Sequence, residues 1–415
     1  VASTISGFDA FLKTYFDNRK IDDLTKRDKP FYGRIATNEA VGADGWKVPL
    51  WIGNPQGIAS KSLSNAQANA TNVKGVAFSI TNMAELFSKV DIGDKVIRGS
   101  RSNMLAFLQN QKTEIEGLYT QHSQEIAIQM WRNGGGAVGT VASTTSTTIT
   151  LSTPQDASSF ELNEFIQACQ DDGTNTSTTP RVGKCQVLGI DHIGGVLTVD
   201  ATSNITSLTA GDSLFRDGTC VANTGTLLMT GVAAYVTLST TPGSLWGVTR
   251  TTDVVRLSGS KLPASASSGL GIEERIQQLA ARMAGSYNGM IPGGDYCVYL
   301  HPEDFYKLNI SAQGKGIRKL EDSKTQIGYD YIEFVAGGRT MKVFQDVHIP
   351  YKTGYILRMD NWVLGSLGGP VIQTSMSDGL QMLRLSTTMD YEYRIVSYIN
   401  MSSNAPGASG VFVIN

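Results

Sequence analysis

The sequence predicts an α+β fold that carries a separate β-domain within it. Three observations lead there. Residues 104–131 keep a long helical period. Residues 139–258 break into short β-type runs divided by Gly, Asp, Asn and Thr. The C-terminal third mixes strand-like runs with two helices. At 415 residues the chain is long enough for two or three domains with cores of their own.

Composition narrows the function classes. Hydrophobic residues make up 41% and charged residues 17%, with Gly 44, so the chain is globular, sparsely charged and rich in turns. The net charge of −2 provides no global positive field for nucleic acid or an anionic membrane. Residues 1–34 carry seven Lys/Arg against five Asp/Glu, whereas 139–258 carry five against ten, which argues against a nucleic-acid surface in the middle third. Cys169, Cys185, Cys220 and Cys297 have no paired spacing and read as buried free thiols; a zinc site would need His192 beside them. No apolar run approaches a membrane span, and "VASTISGFDAFLKTYF" lacks the build of a signal peptide. A start at Val rather than Met is read as the mark of a removed segment.

The elements follow in order. Phe8, Phe11, Leu12, Tyr15 and Phe16 predict a short amphipathic arm that ends before Pro30. Trp46, Val48, Leu50 and Ile52 alternate along one face, as do Val76, Phe78 and Ile80, with a polar stretch between them. That pattern predicts an extended hairpin whose tip is disordered or meant for a neighbour. Asn82 and Glu85 have capping-box spacing and predict a short helix over 83–88. Leu105, Leu108, Ile115, Leu118, Tyr119, Ile126 and Met130 predict a rod of roughly 45 Å at 1.5 Å per residue, with His122 as a core histidine on its apolar stripe. "WRNGGGAVG" ends it.

From Gly139 the predicted strands are "TTSTTITLS", "KCQVLGI", "GVLTVD", "GTLLMT" and "VAAYVTLST", with a hairpin turn at Gly194-Gly195 and a possible helix only in "SSFELNEFIQACQ". Ile272, Ile276, Leu279 and Met283 predict a helix over 272–287; the GxG before it lacks the strand and the further glycines of a phosphate loop. "YCVYLHPEDFYKLN" puts His301, Glu303 and Asp304 close together. A strand-to-helix turn accounts for all of them: Pro302 suits the first helical position, and the acids suit the positive end of the helix dipole. No nucleophile accompanies them in the sequence, so catalysis is not predicted. Strands follow in "MKVFQDV", "GYILRMD", "VLGSLG", "MLRLS", "YEYRIVSYI" and "GVFVIN".

This order of parts resembles the major capsid protein of tailed bacteriophages, with the Hong Kong 97-type fold. The residues that carry the resemblance are "GWKVPLWIG…VKGVAFSITNMAELF" for the extended loop, Met104–Trp131 for the spine helix and "YCVYLHPEDFYKL" for the axial-domain strand and helix. "GRTMKVFQDVHIPYKTGYILRMDNWVLGS" and "LRLSTTMDYEYRIVSYIN" match the later strands. The resemblance implies an N-terminal arm (1–40), an extended loop (41–80), a peripheral domain with the spine helix (81–138), an inserted β-barrel-like domain (139–258), an axial domain (259–375) and a return to the peripheral domain (376–415).

It further implies hexamers and pentamers closing an icosahedral head around double-stranded DNA without sequence-specific contacts, a separate scaffolding protein and a portal, assembly in the host bacterial cytoplasm, and no catalytic, cofactor or metal residues. Trp46, Trp51, Asn54 and Lys61 are the expected inter-subunit contacts. In the founding member a loop lysine joins a neighbour's asparagine; Lys61 and Asn361 are the conceivable pair here, and the polar surroundings of Lys61 predict no such link. An encapsulin-like shell around protein cargo is the alternative, with a hydrolase centred on His301 and Glu303 and an adhesion module as more distant rivals.

Overall fold

A computed structural model describes residues 26, 28–42, 44–93, 104–175, 179–221, 228–266, 268–286, 293–314, 331–373, 382–385 and 390–415. The amphipathic arm expected over 8–16 lies outside these residues.

The chain enters through a short helix, Pro30–Arg34, and β1 (Ala36–Val41), then forms the hairpin β2 (Trp46–Gly53) and β3 (Lys74–Ile80) and the strand β4 (Ala84–Ile92). The spine helix spans Met104–Trp131, as its period predicts. After it come β5 (Gly139–Thr144), β6 (Thr148–Leu151), β7 (Phe165–Cys169), β8 (Cys185–Asp191), β9 (Val196–Val199) and β10 (Ser213–Arg216). Helices Val232–Tyr235 and Val254–Ser258 lead to β11 (Ser260–Leu262), the helix Ile272–Ser286, β12 (Tyr296–Leu300) and the helix Pro302–Gly314. The remainder is β13 (Ile332–Ala336), β14 (Arg339–Gln345), β15 (Thr353–Arg358), β16 (Trp362–Leu367), β17 (Met382–Arg384), β18 (Tyr391–Ser403) and β19 (Gly410–Val413).

Two larger sheets, a barrel and the two-stranded β2-β3 hairpin organise these strands. One sheet runs β1-β16-β18-β17, with β4 antiparallel along residues 391–399 of β18. The other has the order β11-β19-β15-β12-β14-β13. The barrel closes as β10-β5-β6-β9-β8-β7 and fills with Val141, Ile149, Ile166, Val187, Leu197 and Leu214. Full closure leaves it no open edge.

Trp131, the last residue of the spine helix, joins the parts. Fully buried, it packs at a tilt against Phe31 at 4.6 Å, Tyr299 of β12 at 5.3 Å and Tyr355 of β15 at 5.5 Å. Its indole donates to Asp346 Oδ2 at 3.1 Å. Burial drives the Asp346 carboxyl up to about 6, against the pull of the His348 amide, the Trp131 indole, the Phe31 amide and Lys29. The barrel is pinned to the same helix by Arg216–Glu125 at 2.7 Å and to its end by Arg132–Asp156 at 3.0 Å.

Several expectations are corrected. Residues 84–92 are a strand: Ala84, Leu86, Ser88, Val90 and Ile92 share one face of the pleat, and this period of two prevails over the capping-box spacing. "SSFELNEFIQACQ" is no helix; its Phe165–Cys169 is a barrel strand. "VAAYVTLST" contains a one-turn helix, Val232–Tyr235, rather than a strand. The barrel ends at Arg216, well before 258, because Met229, Val232, Tyr235, Val236, Val248 and Leu257 pack into the main core. Threonine-rich composition continues past the point where packing changes sides. The boundary at 375 also fails: β16 already lies in the five-stranded sheet, and β19 returns to the six-stranded one. The hairpin turn at Gly194-Gly195 joins β8 and β9 as predicted, with Gly195 at φ 64.

Candidate functional site: the extended hairpin

β2 and β3 pair antiparallel from Trp46↔Ile80 to Gly53↔Lys74. The alternation read in the sequence decides what each face does. Val48, Leu50, Ile52, Phe78 and Ile80 are buried in the main core, so the hairpin's base is seated on its own subunit. The opposite face and the tip stand in solvent, with Trp51 69%, Ile58 89% and Leu63 74% exposed.

The tip has local structure that its polar composition did not announce. Ser62 caps a short helix, Leu63–Ala68, by accepting the Asn65 N–H at 3.2 Å. Its neck is tied where the Thr71 N–H donates to the Gln56 carbonyl at 2.7 Å and the Gln56 N–H to Thr71 Oγ1 at 3.1 Å. Hydrogen bonding thus shapes the tip, but no residue of the helix is buried.

The four expected contact residues divide. Trp51, Asn54 and Lys61 lie on the outer, solvent-facing part. Trp46 does not: it packs on its own core, with its ring over the backbone of Gly365. One residue face of a strand cannot hold both Trp46 and Trp51, because five positions separate them and side chains alternate. The sequence also passed over Ile58, Leu63 and Val73, single apolar residues within a polar run; their isolation was the available signal. Asn361 is 6% exposed at the corner between β15 and β16, where a neighbour's lysine has no access to it.

The "HPEDFYKL" stretch is a strand-to-helix turn, as read. His301 is buried against Tyr351, with ring centroids 5.4 Å apart, and burial lowers its pKa despite the nearby acids. Asp304, fully buried, takes the Lys307 ammonium at 3.0 Å and the Lys352 N–H at 3.1 Å. Glu303 accepts from Gln155 Nε2 at 3.0 Å and so ties this helix to the barrel. Each group is engaged in holding the turn. All four cysteines are buried free thiols. Among the described residues no group of acids, histidines and cysteines could hold a metal, and no helix is long and apolar enough to cross a membrane.

No protein-family model and no curated protein matches the chain. Solved structures do. The capsid asymmetric unit of cyanophage A-1(L) superposes with a TM-score of 0.52 at 11% identity, over 93% of this chain and 93% of that one. The fold is the Hong Kong 97-type capsid fold. The native GTA particle's capsid (TM-score 0.45, 9% identity, 94% and 91% covered) and the SrpI encapsulin of Synechococcus elongatus PCC 7942 (0.41, 9%, 93% and 88%) are more distant likenesses.

Proposed function

We propose that this chain is the structural major capsid protein of a tailed bacteriophage, assembling as hexamers and pentamers into an icosahedral head around double-stranded DNA. The observation that carries the reading is the hairpin. On a fold shared with a cyanophage capsid subunit, it projects Trp51, Ile58 and Leu63 into solvent. Burying each large apolar side chain on a neighbour contributes roughly 1.5–3 kcal/mol, and a closed symmetric assembly repeats that gain at every subunit. Trp51, Asn54 and Lys61 are the contact residues in this reading, without a covalent link through Lys61.

The chain works as a building block rather than a catalyst and takes no cofactor. A separate scaffolding protein and a portal complete the head, and the DNA is held by confinement, without sequence-specific contacts, in a virion assembled in the host bacterial cytoplasm. Electron microscopy and sedimentation of the purified protein test this: closed shells are expected, and a chain that stays monomeric at high concentration would sink it. Nuclease-protected DNA in the particles separates a virus head from an encapsulin-like compartment, which would hold protein instead.

A further inference from the structure

A cavity of about 470 Å³ opens beside the C-terminal end of the spine helix, against residues 230–250. Its lining is rich in hydrogen-bond donors: Asn133, Thr230, Thr237, Ser244, Trp246 and Arg250 all contribute. Two of them are in an unusual state.

Arg250 is 7% exposed. Its Nε donates to the Gly243 carbonyl at 2.8 Å and its Nη1 to the Ala234 carbonyl at 2.5 Å. These partners are neutral and take two of the five N–H donors of a guanidinium. No carboxylate pairs with it among the described residues. Asp253 caps the Val254–Ser258 helix through the Arg256 amide and faces the Arg256 guanidinium. Asp172 is held by Asn133 Nδ2 and the Thr174 amide. Nearby, Lys261 donates to the Ser239 carbonyl, and burial together with the positive charge of Arg250 lowers its pKa. Burial likewise lowers that of Arg250, with the Tyr235 phenol opposing. A buried cation without an anion is costly, so the pair marks a place where negative charge is missing.

Trp246 supplies an independent observation. Its buried indole N–H makes no well-aligned hydrogen bond; it leans on the Tyr235 hydroxyl and opposes the upward pull of burial on that phenol. The Tyr235 hydroxyl beside it donates to the Met401 carbonyl. Trp246 and Gly247 form a two-residue turn in which Leu245 and Val248 exchange both backbone hydrogen bonds, at 3.0 and 2.9 Å. Both central residues have positive φ, 49° and 81°, a conformation uncommon for a bulky residue. The Ser79 N–H holds the turn by donating to the Trp246 carbonyl at 3.1 Å.

We propose that this cavity is a binding site for a small oxyanion, a carboxylate or phosphate group, held by the Arg250 guanidinium and the Trp246 indole N–H with the Thr237 and Ser244 hydroxyls around it. Such a group would add charge-assisted bonds to the guanidinium and give the poorly aligned indole donor a better acceptor. The depth of Arg250 admits a free ion or a side chain on a thin stalk. The source is therefore inorganic phosphate or an Asp or Glu of a second copy of this chain. The site belongs to the folded subunit and stands whether or not that subunit builds shells.

The test is thermal unfolding of the full-length, unassembled chain at pH 7 in potassium phosphate, against potassium chloride of equal ionic strength. Phosphate is expected to raise Tm along a saturating curve, and Arg250→Met to abolish the effect. Because Arg250 also binds two carbonyls, its loss could unfold the chain. Trp246→Phe keeps the ring, removes the donor and should raise the half-saturating phosphate concentration about tenfold. Phosphate no better than chloride, or an unchanged half-saturation in Trp246→Phe, would overturn the proposal. Calorimetry on assembled particles then separates the sources. Phosphate binding kept in particles indicates a free-ion site; binding present in subunits and lost in particles indicates a neighbour's carboxylate.

Discussion

His122 of the spine helix donates to or accepts from Ser397 Oγ of β18 through Nε2 at 2.8 Å, while its Nδ1 lies 2.8 Å from Ser88 Oγ of β4. One buried ring thus ties the helix to two adjacent strands. Burial lowers its pKa to about 4 from an ordinary 6.5. The unfolded chain takes up this proton first, so the stability is fully present above pH 6.5 and is lost as pH falls towards 4. His348, also lowered to about 4 by burial, adds in the same direction. His122→Leu should cost about 2–3 kcal/mol at pH 7, for two stranded hydroxyls and lost packing. That deficit should shrink by about 2 kcal/mol at pH 4.5, because only the wild type pays for protonation there. Urea unfolding at the two pH values measures both; a deficit independent of pH would contradict the neutral buried ring.

Glu164 gives a prediction of opposite sign. Burial raises its carboxyl to about 7, beside an Arg216 that Glu125 already neutralises at 2.7 Å. The folded state holds this proton more tightly than the unfolded state, so wild-type stability falls as pH rises from about 4.5 through 7. Glu164→Gln removes that titration. The variant should match wild type near pH 5 and exceed it by about 2 kcal/mol at pH 8. Equal stability at both pH values would show that the carboxylate is comfortable where it sits.

Local periodicity was the legible part of this chain. Met104–Trp131, the core role of His122 and the strand-to-helix turn at His301–Pro302 follow from spacing within a few residues, and the sequence shows such spacing directly. What it did not show depends on contacts between distant segments. Residues 84–92 carry a local period of two beside the capping-box spacing, and pairing with β18 over nine positions decides between them. Residues 228–258 look like the barrel in composition but pack on the main core. At the candidate surface, Trp46 and Trp51 both read as inter-subunit contacts; the structure exposes Trp51 and seats Trp46 over Gly365, on the face it shares with Val48, Leu50 and Ile52. The Arg250–Trp246 cavity had no sequence signature, because a missing counter-charge is visible only in three dimensions.

Two glycines should respond oppositely to alanine. A Cβ on Gly231 would lie 2.3–2.5 Å from the carbonyl oxygens of Gln129, Arg132 and Met130 at the end of the spine helix. Backbone there cannot yield without opening the helix end, so Gly231→Ala should cost about 3 kcal/mol or more. Gly117 sits mid-helix with open space around it, and Gly117→Ala should stabilise by about 0.5–1 kcal/mol. Thermal melts of both variants against wild type measure the contrast, and similar shifts would refute it.

The barrel should fold alone when cut by its packing rather than its composition. Residues 137–221 contain the closed ring of strands and its apolar filling. Excised, they should show a cooperative circular-dichroism melt. Extending the piece to 258 should add no stability and should promote aggregation, since Met229, Val232, Tyr235 and Leu257 would lose the core they pack in. A flat melt of 137–221 would mean the barrel needs its anchors Glu125 and Ile128 on the spine helix.

The hairpin supplies the sharpest test of assembly, because its two tryptophans should fail in different ways. Trp51 is 69% exposed, and its indole donates to the nearby Gly53 carbonyl at 2.9 Å. Trp51→Ala should leave subunit melting unchanged and weaken shells, as loss of a large aromatic anchor at an interface does. Trp46 packs on its own core, so Trp46→Ala should lower subunit stability by about 2 kcal/mol and affect shells only through folding. Deleting 56–70 removes the tip together with Gln56, one half of its neck, and leaves the pairing from Trp46 to Gly53 in place. The deleted protein should therefore stay folded and soluble yet fail to close shells. Sedimentation and melting of wild type, both alanine variants and the deletion, side by side, decide the matter. If the deletion still sediments as intact particles, the tip plays no part in joining subunits, and the exposed Ile58 and Leu63 require another explanation.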